Sequence, residues 1–522
     1  MTLVEDAFRA VVEQFKDPLA FLRELVQNSL DAGSTVVDVD VRLDGELVTF
    51  EVRDTGDGMD RAVIEGKLLR MFASDKEGDA TKIGKFGIGF KSVFAVRPEQ
   101  VIVDTVRGAE AWRVVISEQG AWELYPLDEV LEGTRVRVLR REPDQGARAR
   151  LVDDSRATVQ RWCRYADADV RFCGASIRTP FALDAAVTVR VPLTAPGDEL
   201  LVGLTAARDA PWGFYNKGLT LLEGAGPFEG LAPWVCFRVR DGALEHTLTR
   251  DNVIHDDAYY RVMALIDETA RGPLIVAALA ALEDDGPTRD AVCRAAALPA
   301  ATGLLHRPAA RARRPVLRDA RARPVTIERA RSATRKGRAV RVTGPSALAW
   351  AAEHDGQLVL LAPRVSGEAA LLDALLGPGQ LLHETHVAIV PAADKEQWQA
   401  APLAHATAAL LATAGHLVDV VVGRLDDADQ GLGDVPAVFA ADPARPVPRS
   451  TALTVPQTSK RKRASLVLCL DTPVVADALR LAETDTWLAA CLLARAVMAC
   501  SGDAGAEALA AACWRKRAER GA

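Results

Sequence analysis

The sequence predicts an α+β chain, with a helix-covered antiparallel sheet in its first part and α/β units after it. Three observations carry that prediction. Apolar and polar residues alternate with period two through STVVDVDVRLDGELVTFEVRDTG (34–56), around an Asp44–Gly45 turn, the pattern of a hairpin with one buried face. The same alternation returns at 100–106, 111–117 and 134–140. Residues 3–16 and 18–32 instead read as helices, with Pro18 opening the second where its missing N–H costs nothing. Helices laid over one face of an antiparallel sheet bury both apolar sides at once.

A chain of 522 residues exceeds a single core, and roughly three or four domains are expected. Its 49% hydrophobic and 26% charged residues describe a folded globular protein. The net charge of −7 argues against a dedicated nucleic-acid binder, so nucleic acid is not an expected partner. The most apolar run, 403–423, is interrupted by His405, His416 and Asp419, and no membrane span is expected. The first residues are polar and amphipathic rather than signal-like. Eight cysteines without CxxC or metal-ligand spacing suggest a reducing, cytoplasmic setting. Cys163 and Cys173 are read as packing residues. HETH at 383–386 spaces its histidines three apart and does not fit the zinc-protease helix.

Five segments are expected. The first is 1–180, and the second an α/β unit at 181–300 with strands near 186–192 and 234–240. The third, 301–342, is a basic linker or helical segment: 307–341 holds thirteen Lys or Arg against Asp319 and Glu328. The fourth, 343–440, alternates strands such as LVLLAP and HVAIVP with Ala/Leu-rich helices. The fifth, 441–522, has a strand, LVLCL, before two helical segments.

The chemistry concentrates before residue 140. In ELVQNSLDAG (24–33), two helical turns carry Glu24, Asn28 and Asp31, and Glu24 and Asn28, four apart, share one helix face. A carboxylate there suits a general base for water and an amide oxygen suits Mg²⁺, although a surface helix with incidental polar groups has the same pattern. In RDTGDGM (53–59), Asp54 ends a strand on the sheet's covered side, and glycines turn the chain back. A buried carboxylate needs hydrogen-bond donors, and the exocyclic amine of a base is one; an ordinary Asp/Gly turn is the plainer alternative. In IGKFGIGFKSVFAV (83–96), Gly84, Gly87 and Gly89 precede an apolar helix whose free N–H groups suit phosphate. No strand feeds this loop directly and no GK[ST] ends it, so it is neither a Rossmann fingerprint nor a P-loop. In EGTRVRV (132–138), Thr134 opens a strand after a turn.

In order and content, these four boxes resemble those of the GHKL superfamily of ATPases, whose Bergerat fold is an antiparallel sheet covered by helices. By this resemblance Glu24 activates the attacking water, Asn28 holds Mg²⁺, and Asp31 supports the site or reaches the nucleotide through water. Asp54 would take the adenine amine, with Gly58, Met59 and Thr134 completing the base site. Gly84, Gly87, Gly89 and Phe90 would face the phosphates. The segment FASDKEGDATK offers Lys76 as a phosphate contact, with Lys82 and Lys85 as alternatives.

GKFGIGFKSVFAV is nearest to the HtpG-type heat-shock chaperones of that superfamily. LEHTLTRDNVIHDDAYYRVMALI, from Leu244, resembles their middle domain, and there Arg250 takes the place of an arginine that reaches the γ-phosphate. The segment from Ala464 is similar to their C-terminal dimerisation domain. The apolar stripe Leu488, Ala489, Leu492, Leu493 and Val497 would bury either in its own domain or against a second copy. The resemblance implies ATP and Mg²⁺ as cofactors, slow ATP hydrolysis, client or partner proteins and a homodimer through the C-terminal helices. Two other readings stand beside it: a MutL-like or other DNA-associated ATPase using the basic stretch 307–341, and a nucleotide-gated scaffold of a regulatory or defence system.

Overall fold

Phe21, Leu22, Leu25, Val26 and Ser29 recur at helical spacing and are buried along one side of α1 (Phe21–Asp31). Asp17 starts the segment by accepting the Leu19 N–H at 2.9 Å, and a short 3₁₀ turn, Pro18–Ala20, leads into the helix. The computed structural model describes residues 17–69, 87–245, 247, 252–426, 432, 434–455, 464–502 and 505–520. The chain separates into two compact units, 1–274 and 275–522, whereas the sequence reading set boundaries at 180/181, 300/301, 342/343 and 440/441.

The first unit opens on an eight-stranded sheet. Its strands are β1 (Val36–Asp44), β2 (Leu47–Asp54), β3 (Gln100–Arg107), β4 (Glu110–Ser117), β5 (Trp122–Pro126), β6 (Thr134–Arg141), β7 (Asp169–Phe172) and β8 (Ala175–Ser176). The order is β5-β4-β3-β6-β2-β1-β7-β8, antiparallel except where β1 meets β7. Asp44 pairs with Leu47, so the two turn residues of the first hairpin are Gly45 and Glu46, one position beyond the expected Asp44–Gly45. Alternate residues of the strands, among them Val37, Val39, Phe50, Val52, Val103 and Val138, form one core with α1 and with α3 (Gln145–Cys163). Phe21 meets Phe50 edge to face at 5.5 Å, which fixes α1 over the centre of the sheet. Between β2 and β3 lies the short helix α2 (Gly87–Lys91).

Five further strands of this unit form a second sheet: β9 (Val187–Pro192), β10 (Glu199–Leu204), β11 (Pro211–Asn216), β12 (Leu219–Ala225) and β13 (Val235–Arg240), ordered β12-β11-β13-β10-β9. The helix α4 (Asp257–Arg271), capped by Asp256, follows them. The second sheet is tied to the end of α3. Thr220 Oγ1 donates to the Arg161 carbonyl at 3.0 Å, Arg164 pairs with Glu223 at 2.7 Å, and Tyr165 packs edge-on against Tyr215.

In the second unit, the basic segment 307–341 is folded, with short strands at Leu317–Arg318 and Pro324–Val325 and the helix α5 (Ile327–Arg335). Part of its charge is paired within the unit. Arg314 pairs with Glu283, Arg318 with Asp285, Arg321 and Arg323 with Glu353, and Arg341 with Asp373. Arg318 and Arg341 are buried.

A five-stranded sheet closes the chain, from β14 (His386–Pro391), β15 (Val418–Asp426), β16 (Ala437–Ala440), β17 (Val447–Pro448) and β18 (Ala464–Cys469). The order is β16-β18-β15-β14-β17, and β18 runs parallel to β15, so the expected boundary at 440/441 falls inside one sheet. In HETH, His386 is already the first residue of β14, and its two histidines are not on one helix.

The helix α6 (Pro473–Cys500) bends at Asp485. Of the C-terminal stripe, Ala489, Leu493 and Val497 are buried with Leu403, Leu410 and Leu466, so the stripe packs mainly in its own unit. Leu492 stands out at 52% exposed. Among the described residues no helix is long and apolar enough to cross a membrane. Cys163 lies in the first core, where burial pushes its thiol up to about 12. Cys173 is exposed in a turn at φ 48°, so reading it as a packing residue was wrong.

Candidate nucleotide site

Asp54 ends β2 on the sheet's covered side and is buried. Its Oδ1 accepts from the Gly56 N–H at 2.9 Å and the Thr134 N–H at 3.1 Å. Its Oδ2 accepts from the Ser29 hydroxyl at 2.9 Å, a proton Ser29 shares with the Leu25 carbonyl at 3.0 Å. An ionised carboxylate has about four acceptor positions. Three are used, which leaves one on Oδ2 for a further N–H donor.

Two glycines make this packing possible. At Gly133, φ +69°, a Cβ would come within 2.3 Å of the Asp54 carbonyl oxygen. At Gly58, φ +66°, it would come within 1.9 Å of the Val106 carbonyl oxygen. Either side chain would push the loops off the strands they cover.

Thr105, on β3, was not found from the sequence. Its Oγ1 accepts the Met59 N–H at 2.8 Å and lies 3.0 Å from Thr134 Oγ1. It therefore joins the 53–59 loop to the 132–138 turn. Met59 itself packs against the first core.

Glu24, Asn28 and Asp31 follow one another along α1, beside the buried face. Glu24 is buried, whereas Asn28 and Asp31 are exposed. Through Ser29 this helix is bonded to Asp54, so the first two boxes share one hydrogen-bonded cluster. The third box is held from behind: Phe90, Val93 and Phe94 are buried in the same core, while Gly87 and Gly89 lie in α2. Ser92 Oγ donates to the Gly89 carbonyl at 2.5 Å.

Lys76, Gly84 and the alternatives Lys82 and Lys85 lie outside the described residues, as does Arg250. A second residue missed from sequence is Lys217, in the β11–β12 turn, whose Nζ donates to Asp31 Oδ1 at 2.7 Å. No motif marks this lysine. Its partner lies 186 residues away.

Among the described residues no group of three or more His, Cys, Asp or Glu is placed to hold a metal ion. Mg²⁺ in nucleotide sites takes most of its ligands from phosphates and water, so a single protein oxygen such as that of Asn28 fits its needs.

The chain's N-terminal domain has the GHKL ATPase architecture: residues 19–132 match the family of histidine kinase-, DNA gyrase B- and HSP90-like ATPases. That span runs from the start of α1 to the turn before Thr134. Within the superfamily the likeness is to HtpG-type chaperones. The chain is 31% identical to the chaperone protein HtpG of Chlorobaculum tepidum, over 24% of this chain and 26% of the relative. It is 32% identical to that of Chlorobium luteolum, over 23% and 24%, and 27% identical to that of Helicobacter pylori, over 26% and 26%. The chain thus spans about a quarter of the length of the curated relatives it matches.

Proposed function

We propose that this chain is an ATP hydrolase whose nucleotide cycle drives an HtpG-like chaperone acting on client or partner proteins. The observation that carries the ATPase reading is the cluster at Asp54. It brings Ser29 of α1, the 53–59 loop and Thr134 to one carboxylate with a single acceptor position free. That position suits the adenine amine, with Gly58, Met59 and Thr134 around the base. Asn28 would hold Mg²⁺, which neutralises phosphate charge when bound, and Asp31 would support that side. The backbones of Gly84, Gly87, Gly89 and Phe90 would line the phosphates, with Lys76 above them. Glu24 would take the proton of the attacking water, and Arg250 would stabilise charge developing on the γ-phosphate.

Arg314, Arg318, Arg321, Arg323 and Arg341 are engaged by acids of the same unit, which reduces the basic charge that the DNA-associated alternative could use. A homodimer through the C-terminal helices belongs to the chaperone reading. Val474, Leu492 and Trp514 are exposed large apolar side chains there, among the described residues, that a second copy would cover.

The test is the ATPase rate of the purified chain with and without an unfolded client, and with and without DNA. Client-dependent change and indifference to DNA are expected. No hydrolysis under any condition would reject the ATPase reading, and stimulation by DNA alone would reject the chaperone.

Asp54→Asn should act at the binding step. An amide presents a donor where N–H groups need an acceptor, and one unsatisfied buried group costs about 1–3 kcal/mol. Calorimetric titration should show ATP affinity weakened by about tenfold or more; unchanged affinity would remove Asp54 from the base site.

A further inference from the structure

The β11–β12 turn carries a conformational cost at an unexpected residue. Asn216 pairs with Leu219, so Lys217 and Gly218 are the two central residues, at φ 48° and 76°. Such turns favour Asn, Asp or Gly at both positions, because a left-handed backbone crowds a longer side chain. A lysine held there points to a use for its ammonium group.

Asn216, Lys217 and Gly218 all make contacts beyond their own hairpin. Lys217 Nζ donates to Asp31 Oδ1 at 2.7 Å. Gly218 presses on the end of α3, where a Cβ would stand 1.9 Å from the Tyr165 carbonyl oxygen. Asn216 Nδ2 donates to the Gly242 and Leu244 carbonyls at 3.1 and 2.8 Å, on the segment that leads toward Arg250. One turn thus grips both the helix of Glu24 and Asn28 and the chain leading to the proposed arginine. Glu24, Asn28 and Asp31 stand at i, i+4 and i+7, so Asp31 lies one helical turn from Asn28 and two from Glu24 on that row.

Resting on the ATPase reading, we propose that Lys217 is a positioning residue. It acts through Asp31, not on the nucleotide, and sets the second sheet's turn against the helix that carries the reaction. Its side chain is 55% exposed and that of Asp31 27%, so the pair is open to salt. An exposed pair of this kind supplies a small coupling, and its effect should be a modest change in rate.

Two measurements on the full chain test this. A zero-length carbodiimide should join the Lys217 amine to the Asp31 carboxyl as an amide. Mass spectrometry of the digest should find that linked peptide pair in wild type and not in Lys217→Asn. The second measurement is steady-state ATPase kinetics. Lys217→Asn should lower kcat about two- to fivefold at low salt with KM for ATP unchanged. Lys217→Arg should keep the wild-type kcat. The deficit should fade near 1 M salt, where the screening length is about 3 Å. Lys217→Asn should melt no lower than wild type, because asparagine tolerates this backbone, so a rate loss cannot be laid to misfolding. The proposal falls if the cross-link is absent, if kcat is unchanged at low salt, or if the deficit persists in high salt. The cross-link needs no turnover. A protein that forms it yet hydrolyses no ATP would reject the ATPase reading and retain the Lys217–Asp31 contact.

Discussion

Glu24→Ala is expected to lower ATP turnover by about a hundredfold or more while leaving ATP affinity near wild type. In the proposed role the carboxylate works only as the attacking water loses a proton, so its loss would fall on the transition state and not on the ground state. Its position supports that separation. Glu24 is 3% exposed, so its side chain is enclosed by the protein before any substrate arrives. The proposed base site at Asp54, Thr105 and Thr134 lies on other residues, and its binding should be unchanged. Glu24→Gln keeps the side chain's size and shape but cannot take a proton, and it should show the same loss, which separates chemistry from packing. Single-turnover hydrolysis alongside a binding titration is the measurement. Wild-type turnover in either variant would remove Glu24 as the base.

What the sequence made legible had local physical causes. Strands with one buried face must alternate, so β1, β2, β3, β4 and β6 could be read directly from period two. The turns beside Asp54 and Thr134 were marked by glycines that crowded turns demand, whereas the roles of those two residues came from the family resemblance. Thr105 was missed because its partners come from strand order, with β3 lying between β4 and β6, and no local pattern states that order. A trace did exist: Asp104 and Thr105 put two polar residues side by side in an otherwise apolar strand. The basic segment misled in a similar way. Its charge count considered 307–341 alone, while the partners Glu283, Asp285, Glu353 and Asp373 all lie outside that window. The apolar stripe at 488–497 fitted burial in its own unit or in a partner equally, because period alone does not name the surface that covers it.

Asp104→Asn should destabilise the first sheet by about 3 kcal/mol. Thr105 faces the site, so Asp104 faces the opposite side, yet it is 0% exposed because arginine side chains lie over it. Arg113 on β4 and Arg135 on β6 are its direct cross-strand neighbours, and Arg137 approaches on the diagonal. Arg113 Nη2 lies 3.1 Å from the carboxylate, Arg135 Nη2 2.6 Å and Arg137 Nη2 2.8 Å. Burial opposes ionisation of Asp104, but the hydrogen bonds from Arg113 and Arg135 and the nearby positive charges outweigh it. The carboxyl is therefore held below the usual carboxylate range. Removing the charge leaves three guanidinium groups crowded together with Glu129 as the remaining acid. Breaking a buried pair this way costs about 3–5 kcal/mol, and the partial exposure of the arginines puts this case at the low end. A carboxyl with a depressed folded pKa contributes stability above its unfolded value near 3.9 and loses it as pH falls through the folded pKa. Urea denaturation of wild type and Asp104→Asn should thus differ fully at pH 7, and the gap should narrow only below about pH 4. A variant as stable as wild type at pH 7, or a gap already closing at pH 6, would show that the carboxylate is not what holds these arginines on the sheet.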